Sequence, residues 1–200
     1  AHRELDSLEE MDCSIDGVLE ARFGGKATGL ARLQTILTGP YEEYRERGFA
    51  IPMAYYLDFM NENAIASHVD GREVSYQAYL DELFGLDEFR TDSELRFEML
   101  DGFRDFARDE GVIPAGLVAA IAARIEAVFG SRQVMVRHRS SSNVEDLLEF
   151  NGAGLYESTS VCVEDSFDAD DVGPSVCDPG RDVERTIERA LKKVWTSLWT

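Results

Sequence analysis

The spacing of apolar residues predicts a series of helices in the first 130 residues of the chain. Apolar side chains recur at intervals of three and four in several segments that end near glycine, proline or a capping residue. These segments are Leu30–Leu37, Tyr55–Met60, Tyr76–Phe84, Glu94–Arg108 and Leu117–Val128. We expect the first helix to bury an apolar face made of Leu30, Leu33, Ile36 and Leu37.

Local signals mark the ends of three of these helices. Gly39-Pro40 ends the first one, because proline cannot continue a helix. The segment Thr91–Glu94 reads Thr-Asp-Ser-Glu, which is typical of a capping box at a helix start. Pro114 before the last of these segments and Gly130 just after it predict where that helix begins and ends.

The pattern changes to alternation after residue 130. Apolar and polar residues alternate along Gln133–Arg139, which predicts a strand with His138 on the face opposite its arginines. We expect a second strand over Leu155–Val163 and a short one over Phe49–Met53. Residues 164–181 contain six acids, two prolines and two glycines, so they predict a solvated loop.

A final amphipathic helix follows that loop. Asp182 can cap it, and its apolar face comprises Val183, Ile187, Leu191, Val194 and Trp195. No stop signal precedes the last residue, so we expect the chain to be truncated at position 200. Together the helices and strands predict an α+β fold, with helices packed on a mixed or antiparallel sheet.

Composition excludes some classes of function. The 200 residues include 39 acids against 20 bases, for a formal net charge of −19. Nucleic-acid binders normally carry a basic face, and no Lys/Arg run here is longer than two residues. No stretch holds the roughly 18 apolar residues that a membrane span needs. We therefore expect neither a nucleic-acid partner nor a membrane partner.

The cysteines bear on the cellular compartment. Cys13, Cys162 and Cys177 are few, odd in number and widely spaced. They make neither a disulfide framework nor a zinc pattern, which favours a reducing cytosol and a cytoplasmic location. The first thirty residues carry several acids and do not resemble a signal peptide. A Cys162–Cys177 bridge stays open as the less favoured alternative.

The glycine-rich start of the first helix is one candidate site for binding an anion. Gly24-Gly25-Lys26-Ala27 precedes the helical segment. Glycines there let backbone N–H groups approach an anion, and the helix N-terminus adds a partial positive charge. Lys26 can reach a phosphate as a mobile cation. The alternative is a glycine turn that caps an ordinary helix and leaves Lys26 in solvent.

A second candidate lies at the end of the predicted strand. Arg137 and Arg139 share one face and form a fork suited to phosphate or carboxylate oxygens. Ser140, Ser141, Ser142 and Asn143 add neutral donors, and Gly152 and Gly154 permit a tight loop over a ligand. Glu145 and Asp146 either pair with the arginines, which is the simpler alternative, or face a magnesium ion. No triad is visible, so we expect no catalytic residue within the chain.

At these residues the sequence resembles the nucleotide-binding domain of the phosphoenolpyruvate synthase and pyruvate phosphate dikinase family. The 150–156 segment, Phe-Asn-Gly-Ala-Gly-Leu-Tyr, is similar to the glucan water dikinase-like branch. The resemblance covers most of residues 19–200. It rests on Gly24–Ala27, Ile51-Pro52, Tyr55-Tyr56, Arg139–Ser141, Glu145–Leu147 and Lys192–Trp199.

The resemblance implies an ATP-grasp-like domain that uses ATP and Mg²⁺. Such enzymes pass a phosphoryl group to a histidine on a separate domain and then to pyruvate or another acceptor. Lys26 and Arg139 are implied to contact the ATP phosphates, under a loop at 152–154. The full set of expected ATP-binding residues is Lys26, Gly25, Arg139, Arg137, Ser140, Ser141, Gly152 and Gly154. The magnesium ligands are not identified.

Residues 1–18 are polar and acidic and the resemblance begins at residue 19, so we expect the chain to divide into three parts. We expect a leader segment at 1–18, a helix-rich lobe at 19–130 and the start of a second lobe at 131–200. The phosphohistidine and acceptor domains are expected beyond residue 200, so the fragment alone is predicted to be inactive. The alternative function is a non-catalytic nucleotide-binding or regulatory module of the same fold.

Overall fold

Helices and short antiparallel strand pairs make up the chain in a computed structural model, which describes residues 2–14, 17–143, 146–147, 150–151, 156–168 and 172–199. The α-helices are α1 Val18–Phe23, α2 Gly25–Ile36, α3 Met53–Glu62, α4 Tyr76–Gly85, α5 Asp87–Thr91, α6 Ser93–Asp109, α7 Leu117–Phe129 and α8 Ile187–Thr196. The strands are β1 Ala64–Ala66, β2 Glu73–Ser75, β3 Met135–Arg139, β4 Asp146–Leu147, β5 Phe150–Asn151 and β6 Ser158–Cys162. Two 3₁₀ turns cover Gly39–Tyr44 and Glu164–Ser166.

The α+β class is confirmed, and every strand pair among the described residues is antiparallel. Strand β1 pairs with β2, β3 with β6 and β4 with β5. In the β3–β6 pair, Met135 lies opposite Cys162 and Arg139 lies opposite Ser158. Helix α8 packs against this pair. The ATP-grasp-like character of the fold stays a prediction.

One cluster of buried side chains contains residues from most of the chain. It includes Leu5, Leu80, Ile121, Val161 and Leu191. The cluster therefore combines side chains from the predicted leader and from both predicted lobes, while the division into lobes itself stays a prediction. No helix within the described ranges is long and apolar enough to cross a membrane.

The predicted ends of two helices are partly correct. Gly130 ends α7 in the left-handed region, with φ at 76°, a conformation that glycine adopts without steric cost. Helix α7 begins at Leu117, one turn later than predicted from Pro114. Helix α6 is capped by Asp92, whose carboxylate accepts the backbone N–H groups of Glu94 and Leu95 at 2.9 and 3.1 Å. Asp92 is thus the cap within the predicted box.

The predicted apolar face of α2 is only partly correct, because Leu30 packs against a buried cluster and Leu37 is half-buried but the other two residues are exposed. Leu33 is 45% exposed and Ile36 is 68% exposed, whereas the small residues Ala27 and Ala31 are buried. These alanines belong to a cluster with Leu19, Phe23 and Met11 of the preceding segments. Small side chains let α1 and the N-terminal segment approach α2 closely, so this face is buried although the leucines are larger.

The predicted strand at Phe49–Met53 is also wrong. Phe49 makes a single antiparallel bridge with Ser7, and the Ala50 N–H donates to the Asp6 carbonyl at 2.9 Å. Pro52 has no N–H to continue a ladder, and it directly precedes α3. The pairing therefore stops after two residues.

The last helix starts later than predicted. It begins at Ile187, and the Thr186 hydroxyl caps it by accepting the Arg189 N–H at 3.2 Å. Asp182 is therefore not its cap, and Val183 is exposed outside the helix. The rest of the predicted apolar face is buried, as expected: Ile187, Leu191, Val194 and Trp195.

Cys162 and Cys177 form a disulfide, which corrects the prediction of unpaired cysteines. The intervening segment turns back because buried Asp165 accepts the N–H groups of Val176 at 2.8 Å and Arg185 at 2.7 Å. This brings the two Cα atoms to 5.9 Å, within the range that a disulfide spans. Persistent disulfides are rare in a reducing cytosol, so the bridge weighs against the cytoplasmic location, which stays a prediction.

Candidate functional site

The two candidate motifs lie in direct contact. The backbone N–H of Gly25 donates to the carbonyl of Ser142 at 3.0 Å. The backbone N–H of Ala27 donates to the Ser141 hydroxyl, also at 3.0 Å. The first turn of α2 and the segment after β3 are thus joined, although they are more than a hundred residues apart in sequence. The glycine-rich motif and the serine motif, which are two separate candidates in the sequence, are therefore adjacent in the fold.

Gly24 is the residue that this contact requires to be glycine. Its backbone has φ 80° and ψ 172°, a region that is essentially restricted to glycine. A Cβ atom at this position would lie only 2.0 Å from the Ser141 carbonyl oxygen. At Gly25 a Cβ would lie 3.6 Å from the Ser142 carbonyl oxygen, which is ordinary contact. The prediction named Gly25 as a binding residue, but the close approach depends on Gly24.

Ser141 and Ser142, called the serine segment from here on, cap helix α2. The first N–H groups of a helix have no partner within the helix and can bind an anion. Here Ser141 and Ser142 accept two of them. Oxygen atoms of the chain itself therefore occupy positions that oxygens of a bound anion could take. The alternative from the sequence is a glycine turn that caps an ordinary helix, and these two hydrogen bonds agree with it. That alternative also leaves Lys26 in solvent, whereas Lys26 is half-buried.

The two arginines lie on the exposed side of β3. Arg137 pairs across the strands with Ser160, and Arg139 pairs with Ser158. Both guanidinium-bearing residues are exposed, whereas His138 between them is half-buried on the other face, as predicted. Within the ranges that the structure describes, neither arginine makes an ion pair or a side-chain hydrogen bond. A bridge to Glu145 or Asp146 is not tested, because the side chains of these two acids lie outside the description.

Arg139 is close to the cap because the chain is continuous. Two peptide units separate Arg139 from Ser141, so their Cα atoms are at most about 7 Å apart. Ser140 between them is buried. Arg139, an exposed residue, therefore lies two residues before the serine that contacts the start of α2. Lys26, Arg139 and the serine segment are the predicted site residues that the fold brings together.

Two further side chains near the turn are shielded from solvent, namely the half-buried His138 and the buried Ser142. Burial lowers the pKa of the His138 imidazole to about 4, so this ring is neutral at ordinary pH and faces the interior. The Ser142 residue is 9% exposed, and its hydroxyl has no hydrogen-bond partner in the described part of the chain. Sequence patterns gave no signal that distinguished Ser142 from its two neighbours, because burial is set by the fold.

The remaining predicted elements of the site are outside the description. Gly152 and Gly154 fall in the segment 152–155, and the predicted covering loop is therefore neither confirmed nor corrected. A group of possible metal ligands among the described residues lies at His2, Glu4 and Asp6, away from the motif residues in sequence.

Comparison with known proteins adds no family assignment. No protein-family model matches the chain. No curated protein matches it significantly.

Proposed function

We propose that the chain is the ATP-binding part of a phosphotransferase that resembles phosphoenolpyruvate synthase and pyruvate phosphate dikinase. The observation that carries the proposal is the contact of the Gly24–Ala27 motif with Ser141 and Ser142. In a chain of −19 net charge, this contact joins a lysine-bearing turn to a strand end with two exposed arginines. Such a group of cations suits the phosphates of a nucleotide.

The cations are expected to bind the phosphates through their side chains. The serine cap already uses the N–H groups of Gly25 and Ala27, which leaves the helix amides little capacity for a ligand. Lys26, Arg137 and Arg139 then supply the charge. Because salt screens charges beyond about 8–10 Å, these local cations can outweigh the repulsion from distant surface acids.

Magnesium accompanies ATP and neutralises charge on the phosphate oxygens when bound. The chain's own residues orient the phosphates, with the Arg137 and Arg139 guanidinium groups as fixed forks and the Lys26 ammonium as a point charge. The proposal includes a histidine on a separate domain as the first phosphoryl acceptor and pyruvate or another molecule as the second. It assigns no catalytic residue to this chain.

Calorimetric titration with Mg²⁺-ATP tests the proposal, on this chain and on a longer protein that contains it. We expect Arg139→Ala to weaken ATP binding about tenfold, since one charge-assisted phosphate contact contributes on the order of 1.5 kcal/mol or more. Arg72→Ala is the matched control, because Arg72 is exposed and pairs with Asp70 in the β1–β2 connection. Unchanged ATP affinity in Arg139→Ala would overturn the role of that residue. Absence of ATP binding by both chains would overturn the function.

A second candidate function is a non-catalytic module that keeps the fold without the reaction. The observation that favours it is the serine cap, since the helix N-terminus is satisfied by the chain itself. A longer protein that binds ATP but transfers no phosphoryl group to any of its histidines would support the module. Incorporation of labelled γ- or β-phosphate into a histidine would support the enzyme instead.

A further inference from the structure

The N-terminal segment places one histidine and two carboxylates side by side. One ligand atom from each of His2, Glu4 and Asp6 lies within 4.8 Å of the other two. His2 Nε2 and Asp6 Oδ2 are 3.2 Å apart. The side chains of His2 and Asp6 are about four-fifths buried, with 21% and 22% exposure, whereas Glu4 is exposed. Neither the motifs nor the proposed function uses these residues.

The backbone that carries the three side chains is held in place. Residues 2–6 form no regular secondary structure, but the ligand atoms of positions 2, 4 and 6 converge to within 4.8 Å of one another. The segment is fixed by Arg3, whose guanidinium pairs with both carboxylate oxygens of Asp58, and by buried Leu5. In addition, the Arg3 carbonyl accepts the Tyr55 hydroxyl at 3.0 Å. The spacing of the three ligands is thus set by the fold of the segment.

The His2 ring has a defined orientation. Its edge contacts Phe23, with ring centroids 5.6 Å apart and planes at 85°. This contact, together with Asp6, leaves Nε2 directed at the carboxylate. Three ligands at metal bonds of about 2.0–2.2 Å stand roughly 3–3.5 Å from one another. The His2–Asp6 distance already meets this requirement, and the exposed Glu4 side chain can rotate to complete it.

We propose that His2, Glu4 and Asp6 form a binding site for a borderline divalent cation of the Zn²⁺ class. One imidazole nitrogen and two carboxylate oxygens are ligands that such cations accept, with a fourth position for water. The cation lies between His2 Nε2 and Asp6 Oδ2, which are 3.2 Å apart. The net charge of −19 raises the local concentration of cations around the chain.

Zinc titration by calorimetry tests this site in a Cys13→Ser background, because the free thiol of Cys13 could itself bind zinc. Metal-free protein should bind one Zn²⁺ per chain. We expect Glu4→Gln and Asp6→Asn each to weaken zinc binding at least about tenfold, as losses around a metal site commonly do. Glu4 is exposed, so Glu4→Gln should leave the melting temperature of the metal-free chain unchanged.

The controls separate this site from other sources of zinc affinity. His68 and Glu9 are exposed and lie outside the cluster, so His68→Ala and Glu9→Gln should not alter zinc binding. Chelation by a chain-terminal amine and the His2 imidazole would survive Asp6→Asn, and that result would overturn the proposal. So would the absence of stoichiometric zinc binding, or equal weakening by His68→Ala.

Discussion

The Ser141 hydroxyl accepts the backbone N–H of Ala27 at 3.0 Å and so caps a helix that lies 114 residues earlier in the chain. Most helix caps are local, within a few residues of the helix start. This one ties the N-terminus of α2 to the end of strand β3, where Arg139 is located. Hydrogen bonds from the first turn of α2 to Ser141 and Ser142 therefore join the lysine-bearing turn to the arginine-bearing strand.

Gly24→Ala should destabilise the protein strongly. The added Cβ would meet the Ser141 carbonyl oxygen at 2.0 Å, and the residue would keep a backbone conformation that is essentially restricted to glycine. We expect the free energy of unfolding to fall by about 3 kcal/mol in urea titrations. The matched control is Gly29→Ala in the same helix, where a Cβ meets no atom within 4 Å. That variant should gain up to about 1 kcal/mol, and an equal loss in both would contradict the contact.

Ser141→Ala and Ser142→Ala should differ although the residues are neighbours. Loss of the Ser141 hydroxyl leaves the Ala27 N–H without its cap, at a cost of about 1 kcal/mol of unfolding free energy. The Ser142 hydroxyl is buried without a partner in the described residues, and its carbonyl still accepts the Gly25 N–H after substitution. Ser142→Ala should therefore be neutral or slightly stabilising. Chemical denaturation of both variants compares their free energies of unfolding. A less stable Ser142→Ala than Ser141→Ala would contradict the assignment of the cap.

Reduction of the Cys162–Cys177 disulfide should lower stability. The bridge spans 15 residues, and cross-links of that loop length contribute about 3 kcal/mol by restricting the unfolded chain. The double variant Cys162→Ala, Cys177→Ala should show a similar loss in thermal unfolding, with no further effect of reductant. Cys13→Ser is the control, since Cys13 is outside the bridge. A melting temperature that does not respond to reductant in the parent protein would show that the bridge is not formed.

Protonation of His138 should destabilise the fold below neutral pH. Burial lowers its pKa from an ordinary value of 6.5 to about 4, so the unfolded chain binds the proton more readily than the folded one between these values. The stabilising contribution is complete above pH 6.5 and is lost as the pH falls towards 4, by up to about 1.4 kcal/mol per pH unit.

The variant His138→Leu isolates this dependence from the titration of the many acids. We expect the parent protein and His68→Ala, which replaces an exposed histidine, to lose stability together between pH 6.5 and 5. His138→Leu should lose clearly less over the same interval. Parallel pH profiles for all three proteins would contradict the lowered pKa of His138.

Periodicity predicted the elements well where burial follows residue size and end signals are local. The end of helix α7 at Gly130 follows from a local stop signal, and the buried face of α8 at Ile187 and Leu191 follows from apolar spacing. Helix α2 is different, because it buries Ala27 and Ala31 and exposes Leu33. Which face is buried there depends on how closely the neighbouring segments approach, and a single helix pattern carries no information about that.

The candidate site was predictable in its parts but not in its assembly. Glycine before a helix and arginines on a strand are local patterns, and they indicated Lys26 and Arg139 as candidates. The contact between Ala27 and Ser141 is non-local, so no spacing rule can supply it. The prediction of the cysteine pairing was wrong for the same reason. The proximity of Cys162 to Cys177 depends on the turn that the Asp165 carboxylate stabilises.

Lys26 and Arg139, held near each other by the contact of the α2 turn with the serine segment, should bind the phosphates of one ATP molecule. Amide resonances of isotope-labelled protein, followed during titration with Mg²⁺-ATP, test this most directly. We predict that the amides of Gly25–Ala27 and of Arg139–Ser142 shift together, with one shared dissociation constant, and that those of β1 at Ala64–Ala66 do not. Shifts confined to another region, or no shift of these amides on titration with Mg²⁺-ATP, would contradict a shared phosphate site.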